Sequence, residues 1–209
     1  VLWDTGLNQI YIGSTSKVVI DSFISLILSK FKDITITPWN PLSADTKDVD
    51  LKGSKDNFQN SFFTWIFYET KLKESVLWIP SNIKFLRNDT SVSIRGDTSV
   101  SIESYLAIFN QRLVDSLDLG YSVVDGTEKI EYQVSLSRGS WAFKNLKINP
   151  AITHESLDVA VFERAASFKE FTELYLDLIK EFEKIRNVDA EDNKFWNLLH
   201  NLASEHIKR

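Results

Sequence analysis

Cysteine is absent from this 209-residue chain, which excludes disulfides and thiolate metal sites and fits a reducing compartment. Methionine is absent too, and the chain opens at Val1 inside a strand-like pattern. We therefore expect a preceding N-terminal segment and methionine positions that the numbering passes over. The seven glycines are scattered singly, so no glycine loop opens a helix to cradle phosphate, and nucleotide hydrolysis is not expected. No apolar run reaches bilayer-spanning length and no start resembles a signal peptide, so the expected setting is cytoplasmic, without a membrane partner.

Apolar residues are plentiful: 43% of the chain is hydrophobic and 12% aromatic. That places it among globular proteins, with one ample core or two small ones. A net charge of -5 argues against a surface that binds polyanions everywhere, but permits a local basic patch. The charge is segregated. Asp45, Asp48 and Asp50 load one region and Glu163, Glu170, Glu173, Asp177, Glu181 and Glu183 another, while Arg138, Lys144 and Lys147 fall together.

Residues 1–42 read as strand, turn, strand, helix, strand. Gly6 is placed for a positive φ in the turn, Ser14 or Ser16 for the helix cap, and Val18, Val19, Phe23, Ile24, Ile27, Leu28 and Phe31 for one buried face. Ile34 to Thr37 reads as the returning strand, stopped by Pro38 and Pro41. Polar residues 43–59 mark a solvated connection, and Phe62 to Tyr68 a short buried helix whose aromatic density serves a core. Val76 to Pro80 and Asn82 to Leu86 read as strands. An eight-residue tandem echo follows, Arg87 to Ile94 and Arg95 to Ile102, expected as a hairpin or two edge strands turning at Gly96-Asp97. Glu103 to Leu113 looks helical, and Ser116 to Val124, Ile130 to Ser137 and Trp141 to Ile148 form an antiparallel meander. Phe162 to Ile185 repeats apolar residues at helical spacing, giving one long amphipathic helix, and Phe195 to Leu202 a final short one. The expected class is α+β: a ββαβ module (1–42), a connection with an aromatic helix (43–75), a β-rich region with one helix (76–150) and a helical C-terminal region (151–209).

Few residues suggest catalysis. His154, His200 and His206 lack metal-ligand spacing and read as solvated. Ser14 to Lys17 matches the serine-x-x-lysine spacing of some acyl enzymes without its companions, and capping explains the serines. Glu69 and Lys71 with Asp48 and Asp50 would suit a metal-dependent nuclease if the carboxylates converge on a cation; a solvated loop is the simpler and favoured explanation of so short and common a pattern. The remaining signal is basic: Arg112 at the end of a helix, Arg138 in a turn, and Lys144 and Lys147 along the last strand. Three residues apart, those lysines face opposite sides of an ideal strand unless a bulge intervenes. A lysine-rich edge that discourages aggregation and a phosphate-contacting strip both fit.

Two blocks resemble the recombination-associated RdgC family of bacterial DNA-binding proteins. One runs from Leu2-Trp3-Asp4-Thr5 through Ile10-Tyr11-Ile12-Gly13-Ser14 to Pro38. The other runs from Ile94-Arg95 through Ile102-Glu103, Arg112-Leu113-Val114 and Leu117 to Tyr121, closing on Lys144-Asn145-Leu146-Lys147-Ile148. Phe63 to Tyr68 is similar to a motif of divergent RdgC-like proteins. The resemblance implies a ring-shaped homodimer that encircles double-stranded DNA without sequence preference and restrains RecA-driven strand exchange. It implies nucleoid association and neither catalysis, cofactor nor metal. Arg112 keeps the cation before the family's Leu-Val step, whereas Ser116 stands where a second family lysine would fall.

The expected DNA contacts are therefore Arg112, Lys144, Lys147 and Arg95, all to backbone phosphates. A protein-interaction module built on the long helix is the alternative, and a nuclease built on Glu69 and Lys71 the third reading.

Overall fold

In a computed structural model of the chain, the alternation of the opening residues becomes a hairpin, with β1 (Leu2–Asp4) antiparallel to β2 (Gln9–Tyr11). The structure describes residues 1–6, 8–14, 16–37, 39, 41–42, 55–72, 76–80, 82–87, 90–95, 102–110, 112–125, 128–149, 156–189, 197 and 201. It divides into two units, Val1–Asn40 and Pro41–Arg209. In the first unit the left-handed turn residue is Asn8 (φ 52°), where Gly6 was expected; asparagine tolerates this region because its short polar side chain bonds locally. Helix α1 (Lys17–Lys30) follows, with Ser16 at its N-cap position. The Ser16 side chain makes no capping bond; Ser14 Oγ instead accepts the Ser16 N–H at 3.2 Å.

Two further expectations for this unit are corrected. No residue of α1 is buried: Phe23, Ile24 and Ile27 are half-buried, and Val18 remains 75% exposed. Strands of three residues offer too little surface to cover a helix of 14. Ile34 to Thr37 takes no regular structure, so the module is ββα rather than ββαβ. A contact between Trp3 and Phe31, 5.6 Å apart and edge-on at 88°, ties the hairpin to the end of the helix.

The second unit is built on a six-stranded antiparallel sheet ordered β5-β4-β6-β7-β8, with β3 beside β6. Its strands are β3 (Leu77–Trp78), β4 (Asn82–Arg87), β5 (Thr90–Arg95), β6 (Leu113–Asp125), β7 (Glu128–Ser137) and β8 (Lys144–Asn149). The expected meander is thus β6 to β8. The tandem echo resolves differently: its first copy folds back on β4 as the edge strand β5, with Ile94 opposite Ile83. Of the second copy, Arg95 ends β5, residues 96–101 lie outside the described residues, and Ile102 opens helix α3 (Ile102–Phe109). That helix stops short of Arg112, which sits in the link to β6, its N–H bonded to the Ala107 carbonyl at 3.0 Å.

One face of the sheet is apolar. Ile83, Phe85, Val114, Leu117, Leu119, Tyr132, Val134 and Leu136 are buried on it, beneath α2 (Lys55–Leu72), α3 and α4 (Leu157–Asp189). Helix α2 is 18 residues long and takes in Lys55 to Gln59, which composition assigned to a solvated connection. From Phe58 to Thr70 it is buried all round except at half-buried Ser61, because sheet, α3 and α4 enclose it. Phe67 meets Phe85 of β4 at 6.1 Å and Tyr105 of α3 at 5.6 Å. Phe62 meets Tyr175 and Phe182 of α4 at 5.7 and 5.5 Å.

Three of the polar residues buried in α2, Gln59, Asn60 and Thr64, bond backbone groups of the sheet and of the turn after β7. Between Lys84 and Phe85 the β4–β6 register shifts, so that Lys84 faces Ser116 and Phe85 faces Val114, bypassing Asp115. Asn60 Nδ2 donates to the Val114 carbonyl at 2.7 Å, and Thr64 Oγ1 accepts the Val114 N–H at 3.2 Å. Gln59 braces the turn after β7, accepting the Gly139 N–H at 2.7 Å and donating to the Ser140 carbonyl at 3.1 Å. Buried backbone groups require such partners. Helix α4 buries Phe171, Tyr175, Leu178, Ile179 and Phe182, but its first turns are exposed, with Phe162 at 70%. The class is α+β, and among the described residues no helix is long and apolar enough to cross a membrane. The short helix expected at 195–202 lies outside the described residues apart from Asn197 and Asn201.

Candidate nucleic-acid interface

Residues opposite one another in an antiparallel ladder project from the same side of the sheet. The register therefore defines the face that turns away from the helices. Across it lie Ser93 and Lys84, then Ser116 and Ser137, then Asp118 and Ser135, then Gly120 and Gln133, then Ser122 and Glu131. Lys144 stands opposite Ser135 and Lys147 opposite Gln133. Ser135 and Gln133 are two apart, whereas their partners are three apart. The extra residue is taken up by a bulge at which Asn145 adopts φ 55°. The bulge brings both lysines onto one face, which an ideal strand would forbid.

Among the described residues, three carboxylates accompany six cations here: Asp115, Asp118 and Glu131 beside Lys84, Arg95, Lys129, Arg138, Lys144 and Lys147. Asp115, set out by the register shift, bridges Lys84 at 3.0 Å and Arg138 at 3.1 Å. Lys129 pairs with Glu131 at 2.8 Å, and its hydrogen bond holds the Glu131 carboxyl below its ordinary pKa. Lys144 Nζ donates to Ser137 Oγ at 3.3 Å, and Asn145 Nδ2 to Ser135 Oγ at 3.3 Å.

The four cations expected to contact DNA do not form one cluster. Lys144 and Lys147 share the β8 edge. Arg95 lies on the same face at the end of β5, the opposite edge, four strand spacings or ~19 Å away. Arg112 is committed to structure: its guanidinium donates to the Thr90 carbonyl at 3.2 Å, at the far end of β5 from Arg95. Lys84 and Lys129 join the face without having been singled out, and alternation along Asn82 to Arg87 was the available signal for Lys84. Trp78 was missed as well. It stands opposite Gly120, and the indole occupies the space a side chain at 120 would need. An isolated glycine within a strand was the signal for that close approach.

The other candidates separate from this face. Glu69 is buried in α2, and Asp48 and Asp50 lie outside the described residues, as do the three histidines. Among the described residues no group of three metal-ligating side chains converges. Ser14 Oγ is engaged at the start of α1. On the helix side of the sheet, burial raises the pKa of Tyr132, whose hydroxyl donates to Glu170 Oε2 at 2.8 Å.

Comparison with protein-family models, curated protein sequences and solved structures finds no match in any of the three.

Proposed function

We propose that this chain binds the phosphate backbone of DNA without sequence preference and without catalysis, through the solvated face of its sheet. One observation carries the reading: in an acidic chain of net charge -5, the described residues of that face gather six cations against three carboxylates, with the bulge at Asn145 turning Lys144 and Lys147 onto it. Hydroxyls and amides between them, Ser135, Ser137, Gln133 and Asn145, are suited to phosphate oxygens, and phosphate contacts give affinity without base readout. The resemblance to the RdgC family supports duplex DNA as ligand, a homodimer as the acting form, and restraint of RecA-driven exchange in the nucleoid as the role. Lys144 and Lys147 carry the binding, with Arg95 at the far edge; Arg112 contributes less, since its guanidinium is held by Thr90.

The test is a titration of a random-sequence duplex against salt. Affinity is expected to fall linearly on logarithmic axes. Lys144→Glu with Lys147→Glu should weaken every sequence alike and lessen the slope by about 2. Salt-insensitive binding, or no binding, refutes the reading.

A specific observation also favours a protein-interaction reading: Val159, Val161 and Phe162 are exposed on the first turns of α4, ahead of the stretch that packs on the sheet. Exposed apolar side chains grouped on one element mark association surfaces. Loss of self-association or partner binding on Phe162→Glu, with DNA binding intact, would assign that role to α4.

A further inference from the structure

One row of the sheet's solvated face differs from its neighbours. Trp78 stands opposite Gly120, Gly120 opposite Gln133 and Gln133 opposite Lys147. Elsewhere on the face several polar groups are engaged: Lys84 and Arg138 with Asp115, Lys144 with Ser137, Asn145 with Ser135 and Lys129 with Glu131. Beyond the backbone ladder, the side chains of Trp78, Gln133 and Lys147 make no hydrogen bond, ion pair or ring contact among the described residues. The row thus presents an indole, a primary amide and an ammonium in sequence, and all three are available.

From this row we infer a subsite for one unpaired nucleobase with its phosphate, which adds single-stranded segments to the ligands of the face. The inference rests on the backbone-binding reading above and goes beyond it. Gly120 has no side chain, so the half-buried indole lies over the strand rather than beside it. Gln133 is then one strand spacing from Gly120 and Lys147 two, or ~10 Å. A base stacked on the indole sets its edge toward Gln133 and its phosphate toward Lys147. The amide offers both donor and acceptor, so it satisfies any base edge, and stacking is indifferent to base identity. The site is therefore sequence-tolerant like the rest of the face. Duplex DNA, whose bases are stacked on one another, cannot use it.

The experiment compares a twelve-residue oligothymidylate with an abasic oligomer of the same length and charge, alongside a duplex, all at one salt concentration. The wild-type chain is expected to bind the oligothymidylate at least about fivefold more tightly than the abasic strand. Trp78→Leu should bring that ratio close to one, Trp78→Phe should keep part of it, and Gln133→Ala should reduce it without touching the indole or its glycine. Equal binding of the two strands by the wild type, with the duplex still bound, overturns this inference and leaves the backbone reading standing. The indole is then only a cover for Gly120. A ratio that survives both Trp78→Leu and Gln133→Ala also overturns it. Failure of all three nucleic acids to bind removes both readings.

Discussion

Gly120→Ala is the sharpest perturbation of the sheet. A Cβ at 120 would lie 2.5 Å from Trp78 Cδ2 and Nε1 and closer still to Cε2, distances no real contact adopts. The nearest atoms belong to a rigid, half-buried ring, so relief requires the indole to swing off the strand. Overpacking of this kind costs about 1–3 kcal/mol. The backbone at 120 is not in the left-handed region, so alanine also restricts the unfolded chain, which returns about 0.5–1 kcal/mol. The net expectation is a loss of up to about 2.5 kcal/mol, read as a lower urea midpoint at constant slope or a fall in Tm of up to about 10 °C. The cause is isolated by repeating the substitution in a Trp78→Leu background. With the ring gone, Gly120→Ala should become neutral or stabilising, giving a coupling of about 1 kcal/mol or more. Equal destabilisation in both backgrounds would refute the assignment of the clash to the indole. A stabilising effect in the wild type would refute the close approach itself.

Two further predictions concern the bulge and the buried tyrosines. Asn145→Val forces a β-branched residue to φ 55° and should cost about 1–2 kcal/mol or flatten the bulge, while Asn145→Gly should be tolerated; urea unfolding distinguishes them. Burial raises the pKa of Tyr68, Tyr132 and Tyr175, with Tyr105 adding to the effect at Tyr68 and Glu170 at Tyr132. Each keeps its proton in the folded state at a pH where the unfolded chain releases it. Their contribution is therefore complete below about pH 10 and is lost as pH rises beyond it, by about 1.4 kcal/mol per pH unit for each tyrosine. Urea midpoints measured from pH 9 to 11 should fall steeply above pH 10, and Tyr132→Phe should remove about a third of that slope. A flat profile across this range would contradict the burial of these hydroxyls.

Much of the second unit was legible because it repeats. Alternation over Ser116 to Val124 and Ile130 to Ser137 puts Leu117, Leu119, Val134 and Leu136 on one side of their strands, and the meander follows, although slips of two residues would keep the same sides. The long helix was legible for the same reason, through Phe171, Tyr175, Leu178, Ile179 and Phe182. Local pattern failed where a contact distant in sequence decided the outcome. Gln59 looks like part of a solvated link, yet it is buried because the Arg138–Ser140 turn needs its amide. Val18, Val19 and Leu28 look like a buried face, yet they are exposed because the hairpin beside them is too short to cover them.

The candidate site divides the same way. Residue types alone determined that Lys144 and Lys147 are cations on one strand, that their spacing sets them on opposite sides of a regular ladder, and that Gly120 interrupts a strand. Only the tertiary structure decided that Asn145 takes the left-handed conformation and turns both lysines to one face, that Asp115 ties Lys84 to Arg138, and that an indole lies where a side chain at 120 would be. The physical reason is common to all three. Strand periodicity is a property of neighbouring residues, whereas register, and with it every bulge and cross-strand contact, is set by the partner strand, which the chain supplies from elsewhere.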